Sequence, residues 1–307
     1  MLSEECISDN RVFTGKTALI IGAIALFIFC LTVLVYYPTL KNDFVWDDIQ
    51  YVIENKRIRS LDADALSVMF TTFHVGNWHP LTWISHSIDY SLWGLDAAGH
   101  HLTNTILHGL NALLVFLLIV KLVVQAQRVT ESTSFSNSTW NPMLYPVLTA
   151  GVTALLFSLH PLRVESVACV AERKDLLCAF FFLLSILCYL YYVLSPSSRN
   201  RGIWYFSCLL SFVLALTSKP MAVTLPVIVI LLDVYPLKRL YLRSGSTRIL
   251  ILEKTPFFVL SIATGIVVIF AQNYGKSIRT LTQIPADVRL LNALRTPLFY
   301  LKKIIIP

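Results

Sequence analysis

Charge is scarce in this sequence: Asp, Glu, Lys and Arg make up only 14% of 307 residues, too little for the solvated surface of a soluble domain of that length. Cysteine is sparse as well. Of the six, Cys30, Cys178, Cys188 and Cys208 fall inside apolar stretches, leaving Cys6 and Cys169 near water, so a disulfide framework is not expected. No nucleic-acid motif is present, and the net charge of +7 is spread along the chain and does not form one basic stripe. Seven histidines include pairs seven apart, His79 with His86 and His101 with His108, but no Cys or carboxylate stands at a metal-ligand spacing beside them, so no metal site is assigned.

Long apolar runs are what the sequence has instead. Apolar residues make up 56% and mean hydropathy is +0.66. A helix needs ~20 largely uncharged residues to cross a bilayer core. Such stretches run from Thr17 to Tyr37, Leu102 to Val124, Leu144 to Leu159, Leu176 to Leu194, Ile203 to Ser218, Met221 to Tyr235 and Pro256 to Asn273, with an unfinished one from Leu290. The expected fold is an all-α, polytopic transmembrane bundle of about seven or eight spans. No small-residue cleavage site follows the first run, so it reads as a retained anchor. Only Lys219 and Pro220 separate the fifth and sixth runs, which are either two spans on a tight turn or a broken, re-entrant pair.

Lysines and arginines in the loops divide evenly between the two faces. The cluster Lys238, Arg239, Arg243, Arg248 and Lys254 tips the orientation toward a cytoplasmic N-terminus. A sequon at Asn137 then falls in a cytoplasmic loop, where a glycan would contradict this orientation.

Two loops on the opposite, outer side concentrate polar chemistry. The first, 38–100, is far longer than neighbouring helices need. It carries the adjacent carboxylates Asp47 and Asp48 beside Trp46; their mutual repulsion suits a general base or a divalent-cation site, and a solvated turn is the plain alternative. Further along, Leu66, Met69, Phe70 and Phe73, then Leu81, Ile84, Ile88 and Leu92 after Pro80, recur at helical spacing. They predict interfacial amphipathic helices roofing a membrane-level cavity. The second polar loop, 160–175, packs Arg163, Glu165, Glu172, Arg173, Lys174 and Asp175 beside His160. It is either a site for a charged ligand or a salt-bridged interfacial turn.

Six blocks in order carry a family resemblance: Asn42 to Asp48, Asn77 to Thr82, Gly99 to Asn104, Leu159 to Ala168, Ala171 to Asp175 and Ser218 to Met221. Together they resemble the membrane half of the transmembrane-and-tetratricopeptide-containing O-mannosyltransferases and their bacterial relatives, which are GT-C glycosyltransferases. The resemblance implies a single GT-C-like transmembrane domain over 1–307 and transfer of a sugar, mannose being the first expectation. The donor would be a polyprenyl- or dolichyl-phosphate carrier and the acceptor a Ser/Thr hydroxyl of a protein, at the lumenal or periplasmic face. It implies Asp47 and Asp48 as catalytic carboxylates, with Asp47 the base, and His160, Arg173, Lys174 and Lys219 as lipid-phosphate ligands. His79 and Glu165 are possible supports. Such relatives continue into further spans and 34-residue helical repeats; the expectation here is a core incomplete at its C-terminus. The Lys219-Pro220-Met221 form favours a bacterial inner membrane over the endoplasmic reticulum.

Two other functions compete with this one. A transporter or channel would use Asp233, His108 and the Lys219-Pro220 break as an intramembrane path, though no repeat relates the halves of the chain. A truncated, non-catalytic scaffold would keep the motifs by descent alone.

Overall fold

The computed structural model describes residues 15–131, 143–240 and 247–306, so Asn137, Arg243 and Cys6 lie outside the described residues. Within them the chain folds as helices: α1 (Gly15–Tyr36), α2 (Ala63–Thr71), α3 (Pro80–Trp93), α4 (Ala97–Glu131), α5 (Leu144–Leu159), α6 (Val164–Ala168), α7 (Arg173–Leu194), α8 (Ser198–Ser218), α9 (Leu225–Val234), α10 (Thr247–Tyr274) and α11 (Ala286–Ile305). The protein is an integral, multi-pass helical membrane protein.

Five helices, α1, α4, α7, α8 and α10, are long and apolar enough to cross a membrane. A sixth candidate is α5 taken with the segment through α6, which turns away from it by 54°. Two further stretches among the expected seven or eight fall short of that length and composition. First, α9 with its preceding 3-10 turn spans only Pro220–Val234, a leg of ~22 Å at helical rise. Second, the run from Leu290 belongs to α11, which alternates leucines with basic residues and does not pass as a span.

Two apolar cores hold the bundle. Tyr189, Phe212, Leu225, Val229 and Phe257 pack α7 through α10 together, while Ile28, Ala112, Phe116, Ala150 and Ala154 join α1, α4 and α5. Small residues set the second approach: a Cβ on Gly109 would lie 2.9 Å from the Phe29 ring, so α1 and α4 meet closely, as membrane helices do when packing replaces the hydrophobic effect. Outside, Leu19, Phe27, Leu156, Ile262 and Phe270 are exposed, a belt that suits lipid.

A third, smaller core of Tyr51, Val52, Ile58, Met69, Trp83, Val170 and Ala171 fastens the long first loop onto the segment between α6 and α7. Here α3 inverts the pattern of a water-soluble helix. Thr82, His86, Ser87 and Asp89 are buried against the bundle, whereas Ile88, Leu92 and Trp93 face outward. Of the expected apolar stripe, Ile88 and Leu92 face outward while Ile84 packs on the third core, and the polar side chains build the interior together with Trp83.

Candidate functional site at the loop face

The turn Val45-Trp46-Asp47-Asp48 divides the two adjacent carboxylates between different tasks. Asp48 is buried; its Oδ2 accepts the Val45 N–H at 3.1 Å, and its Oδ1 accepts the Ala171 N–H at 2.6 Å and the Cys169 thiol at 3.3 Å. It therefore ties the first loop to the second. Burial and the Asp48 carboxylate push the Cys169 thiol up to about 12, so it donates as a neutral S–H. Asp47 stays exposed. Between Val45 and Asp47, Trp46 adopts φ 48° with its indole 82% exposed, a left-handed conformation that is strained for a bulky residue and recurs where a turn must present a particular side chain.

Beside this turn lies a four-membered ion group. Lys174 Nζ sits 2.7 Å from Glu172, Lys219 Nζ sits 3.7 Å from the same carboxylate, and Lys219 also contacts Asp175. Lys174 lies 4.7 Å above the Tyr51 ring, whose hydroxyl accepts from Asn77 Nδ2 at 3.2 Å. Burial, and to a lesser degree the nearby Asp47 and Glu172 charges, push the Tyr51 phenol up to about 12, so Tyr51 stays a neutral hydroxyl among charges. Burial and then the Lys174 and Lys219 ammoniums press His79 down to about 3, which keeps its imidazole neutral. Thr82 donates to the Ser218 carbonyl at 3.1 Å, holding α3 over the Lys219 turn.

Below this group opens a cavity of about 280 Å³ whose lining includes Arg163, Asp175 and Lys219 along with Phe157, Phe182 and Met221. Asp175 and Lys219 belong to both the ion group and the cavity wall. Arg163, whose guanidinium lies 4.7 Å over the Phe157 ring, adds a second cation there. The chamber thus combines an apolar floor with two cations and an acid at its rim, a combination suited to an amphiphile with an anionic head.

Several expected site residues sit elsewhere. Arg173 is wholly buried, 2.5 Å from Asp89, and donates to Asn104 Oδ1 and the His100 carbonyl, both at 2.8 Å. Its fork is consumed in fastening α3, α4 and α7, which removes it from the phosphate-binding set. His160 is also engaged on both nitrogens: Nδ1 accepts from Leu162 N at 3.2 Å and Nε2 donates to the Ile304 carbonyl at 2.9 Å. Glu165 is exposed on α6, with the Cys169 N–H bonded to its carbonyl at 3.1 Å. Lys174, Lys219 and His79 do come together. Arg163 and Asp175 were named in the second polar loop without a role of their own; Tyr51 was not singled out from the sequence, and neither was Asp89, although Thr82, His86 and Asp89 form a polar stripe at i, i+4 and i+7 that marks an inward face.

All six sequence blocks meet in space. Asp48 bonds Ala171, Thr82 bonds Ser218, Asn104 donates to the Val167 and Cys169 carbonyls at 3.3 and 3.0 Å, and Lys219 pairs with Asp175.

No family model and no solved structure matches this chain. Curated relatives do. A Drosophila melanogaster protein named Protein O-mannosyl-transferase Tmtc3 is 26% identical over 217 residues, covering 67% of this chain and 23% of that protein. Human Protein O-mannosyl-transferase TMTC4 is 30% identical over 186 residues, covering 56% and 22%. Human Protein O-mannosyl-transferase TMTC2 is 26% identical over 219 residues, covering 68% and 23%. The chain is therefore similar to these proteins over more than half its own length, while the match spans less than a quarter of theirs.

Proposed function

We propose that this chain is the membrane portion of a glycosyltransferase that moves a sugar from a polyprenyl-phosphate carrier to a Ser or Thr hydroxyl of a protein, at the membrane face bearing the first loop. The relatives' names point to mannose as the sugar. A bacterial inner membrane is the proposed location, with the loop face periplasmic. The observation that carries the reading is the exposed Asp47 on a turn that Asp48 pins to the second polar loop, beside the Lys174 and Lys219 group and above an apolar cavity.

In the proposed step, the acceptor oxygen attacks the anomeric carbon from the side opposite the phosphate. The bond from that carbon to the phosphate oxygen breaks as the new glycosidic bond forms, and the acceptor proton passes to Asp47. Negative charge grows on the leaving phosphate, and Lys219, Lys174 and Arg163 are the cations to meet it. Glu172 and Asp175 hold the two lysines in place until a phosphate competes for them. Tyr51 and His79, neutral at ordinary pH, add hydrogen-bonding capacity without repelling or attracting charge.

The transporter alternative relies on Asp233, which lies fourteen positions after Lys219, ~20 Å along a helix, and is bonded to Tyr189, Arg239 and Lys254; an acid already answered by two cations supports that reading less than the loop-face group supports transfer.

The test is transfer in nanodiscs from polyprenyl-phosphate mannose, with the glucose analogue alongside, to a Ser/Thr peptide. Asp47→Asn should lower the rate about 10²–10⁴-fold, the range for losing a general base, with its thermal unfolding unchanged. Lys219→Met should weaken donor binding. Undiminished transfer by Asp47→Asn would sink the assignment.

A further inference from the structure

We propose that α11 lies flat in the lipid interface at the loop face, its leucine face in the acyl boundary and its flanking cations on headgroup phosphates. Both of its ends are at that face. Upstream, α10 finishes beside the first loop: Gln272 Nε2 donates to the Gly76 carbonyl at 3.2 Å, and the Tyr274 ring centre lies 5.8 Å from that of Phe73. The link that follows is folded onto the start of α11 by Arg289, which donates to the carbonyls of Arg279 at 2.6 Å, Thr280 at 3.1 Å and Ile284 at 3.0 Å. At the far end, the Ile304 carbonyl accepts from His160 at 2.9 Å, and His160 caps the loop-face end of α5. A helix of 20 residues is ~30 Å long, enough to carry its ends to opposite faces had it crossed. Both ends return to one face, so the axis runs along the membrane.

The pattern of side chains fits that orientation. Leu291, Leu294, Leu298, Leu301 and Ile305 follow one another at alternating three and four, one stripe of a helix, and all are exposed, from 57% at Leu301 to 79% at Ile305. Asn292, Thr296 and Lys303 occupy the opposite side. Arg295 and Lys302 border the stripe, where their stems can lie on the apolar boundary while their charges reach phosphate. Four basic residues against the single acid Asp287 make headgroups the complementary occupant.

This placement does not depend on the transferase reading. The experiment uses the full chain in nanodiscs, in a cysteine-free background that keeps the native thermal unfolding. Single cysteines at Leu294→Cys, Leu298→Cys, Asn292→Cys and Thr296→Cys carry an environment-sensitive fluorophore, which is quenched by iodide in water or by spin-labelled lipids at shallow or deep positions. Labels at 294 and 298 should be quenched several-fold more by shallow lipid probes than by iodide, and labels at 292 and 296 the reverse. Iodide quenching equal at all four positions would place the helix in water. Protection of 294 and 298 from every quencher would place protein over the stripe. Deep-lipid quenching at all four would mean that the helix crosses. Any of these three outcomes overturns the proposal.

Discussion

At the two ends of the bundle, two acids and two bases meet under opposite conditions. At the end away from the first loop, Tyr189 donates to Asp233 at 2.6 Å and accepts from Arg239 at 2.7 Å and Lys254 at 2.6 Å; Arg239 reaches Glu253 at 2.7 Å, and Lys254 reaches Asp233 at 2.8 Å. Tyr192 donates at 2.9 Å to the same Glu253 oxygen that Arg239 Nη2 reaches. That set is closed on itself, each charge answered within it: Asp233, Glu253 and Lys254 are buried and Arg239 is half-buried, and Asp233 and Lys254 also line an apolar cavity of about 300 Å³. At the loop face, Lys174 is buried while Glu172, Asp175 and Lys219 are half-buried. Asp175 and Lys219 border a cavity to which Arg163 adds charge, and the group stands near the free carboxylate of Asp47. Ion pairing alone therefore does not mark a site in a membrane protein. What separates the loop face from the clamp at the other end is its surplus, a free carboxylate and an added cation beside the paired charges.

The contrast predicts where substitution hurts folding and where it hurts only chemistry. The largest stability losses belong to the closed pairs. Arg173→Met strands Asp89, and Lys254→Met leaves Asp233 and Glu253 with one cation between them; breaking a buried pair from one side costs about 3–5 kcal/mol. Both variants should unfold at clearly lower temperature in fluorescence-detected size-exclusion heating, and Arg173→Met with Asp89→Leu should recover much of the loss. Native-like stability of Arg173→Met alone would mean that the guanidinium is not the fastener the geometry suggests. The adjacent acids of the first loop give the next largest contrast. Asp48→Ala orphans the Ala171 N–H and should cost about 1–3 kcal/mol, whereas Asp47→Ala, at an exposed position, should stay within about 0.5 kcal/mol. Equal losses in a denaturant titration would erase the division of labour between them.

Much of this was readable in advance because lipid imposes simple rules. A span must be long and uncharged, so α1, α4, α7, α8 and α10 announce themselves. Two polar loops on one side of the spans foreshadow their meeting, and Asp47, Asp48, Lys174 and Lys219 could be picked out by residue type and resemblance. What stayed hidden depends on rotation and partnering. Arg173 and Lys174 are neighbours ~100° apart around a helix, and nothing local says which of them turns into the bundle. Arg239 and Lys254 look like loop cations that set orientation, yet their partners are Asp233 and Glu253, buried at helix ends. The run from Leu290 resembles the start of a span until its arginine and lysines are placed around the helix.

A pH prediction tests the loop face more gently. His79 is buried next to two ammoniums, and its value falls from the ordinary 6.5 to about 3. Between those values the unfolded chain holds a proton that the folded chain does not. Stability therefore rises with pH through that window, is level above it and declines as pH drops below 6.5. The decline is about 1.4 kcal/mol per unit, so about 2 kcal/mol at pH 5. Burial holds His74 and His86 low as well, so His79→Asn should lessen the slope in thermal unfolding from pH 7 to 5 by its own share, about 1.4 kcal/mol per unit, while Lys254→Met, at the closed end, should shift the whole curve and leave its slope unchanged. An unaltered slope in His79→Asn would show that the imidazole is not shielded from water.

The smallest effect belongs to the latch that holds the loop down. Val75 and Gly76 both take positive φ, 51° and 70°, in a two-residue turn closed by bonds of 3.0 and 2.9 Å between His74 and Asn77. Val75 is β-branched and strained there. The turn presses onto α10 so closely that a Cβ on Gly275 would lie 2.5 Å from the Gly76 Cα. Gln272 secures it through the Gly76 carbonyl, and Asn77 passes the restraint on to the Tyr51 hydroxyl. Gln272→Ala removes one hydrogen bond, worth about 1 kcal/mol, too little to unfold the bundle but enough to free the turn. Amide exchange should quicken at 74–77 and around Tyr51 while the segment around Tyr189 is unmoved. Uniform acceleration at both ends would mean that loop and clamp open as one unit, and the loop face would then lose the independence that distinguishes it from the closed end.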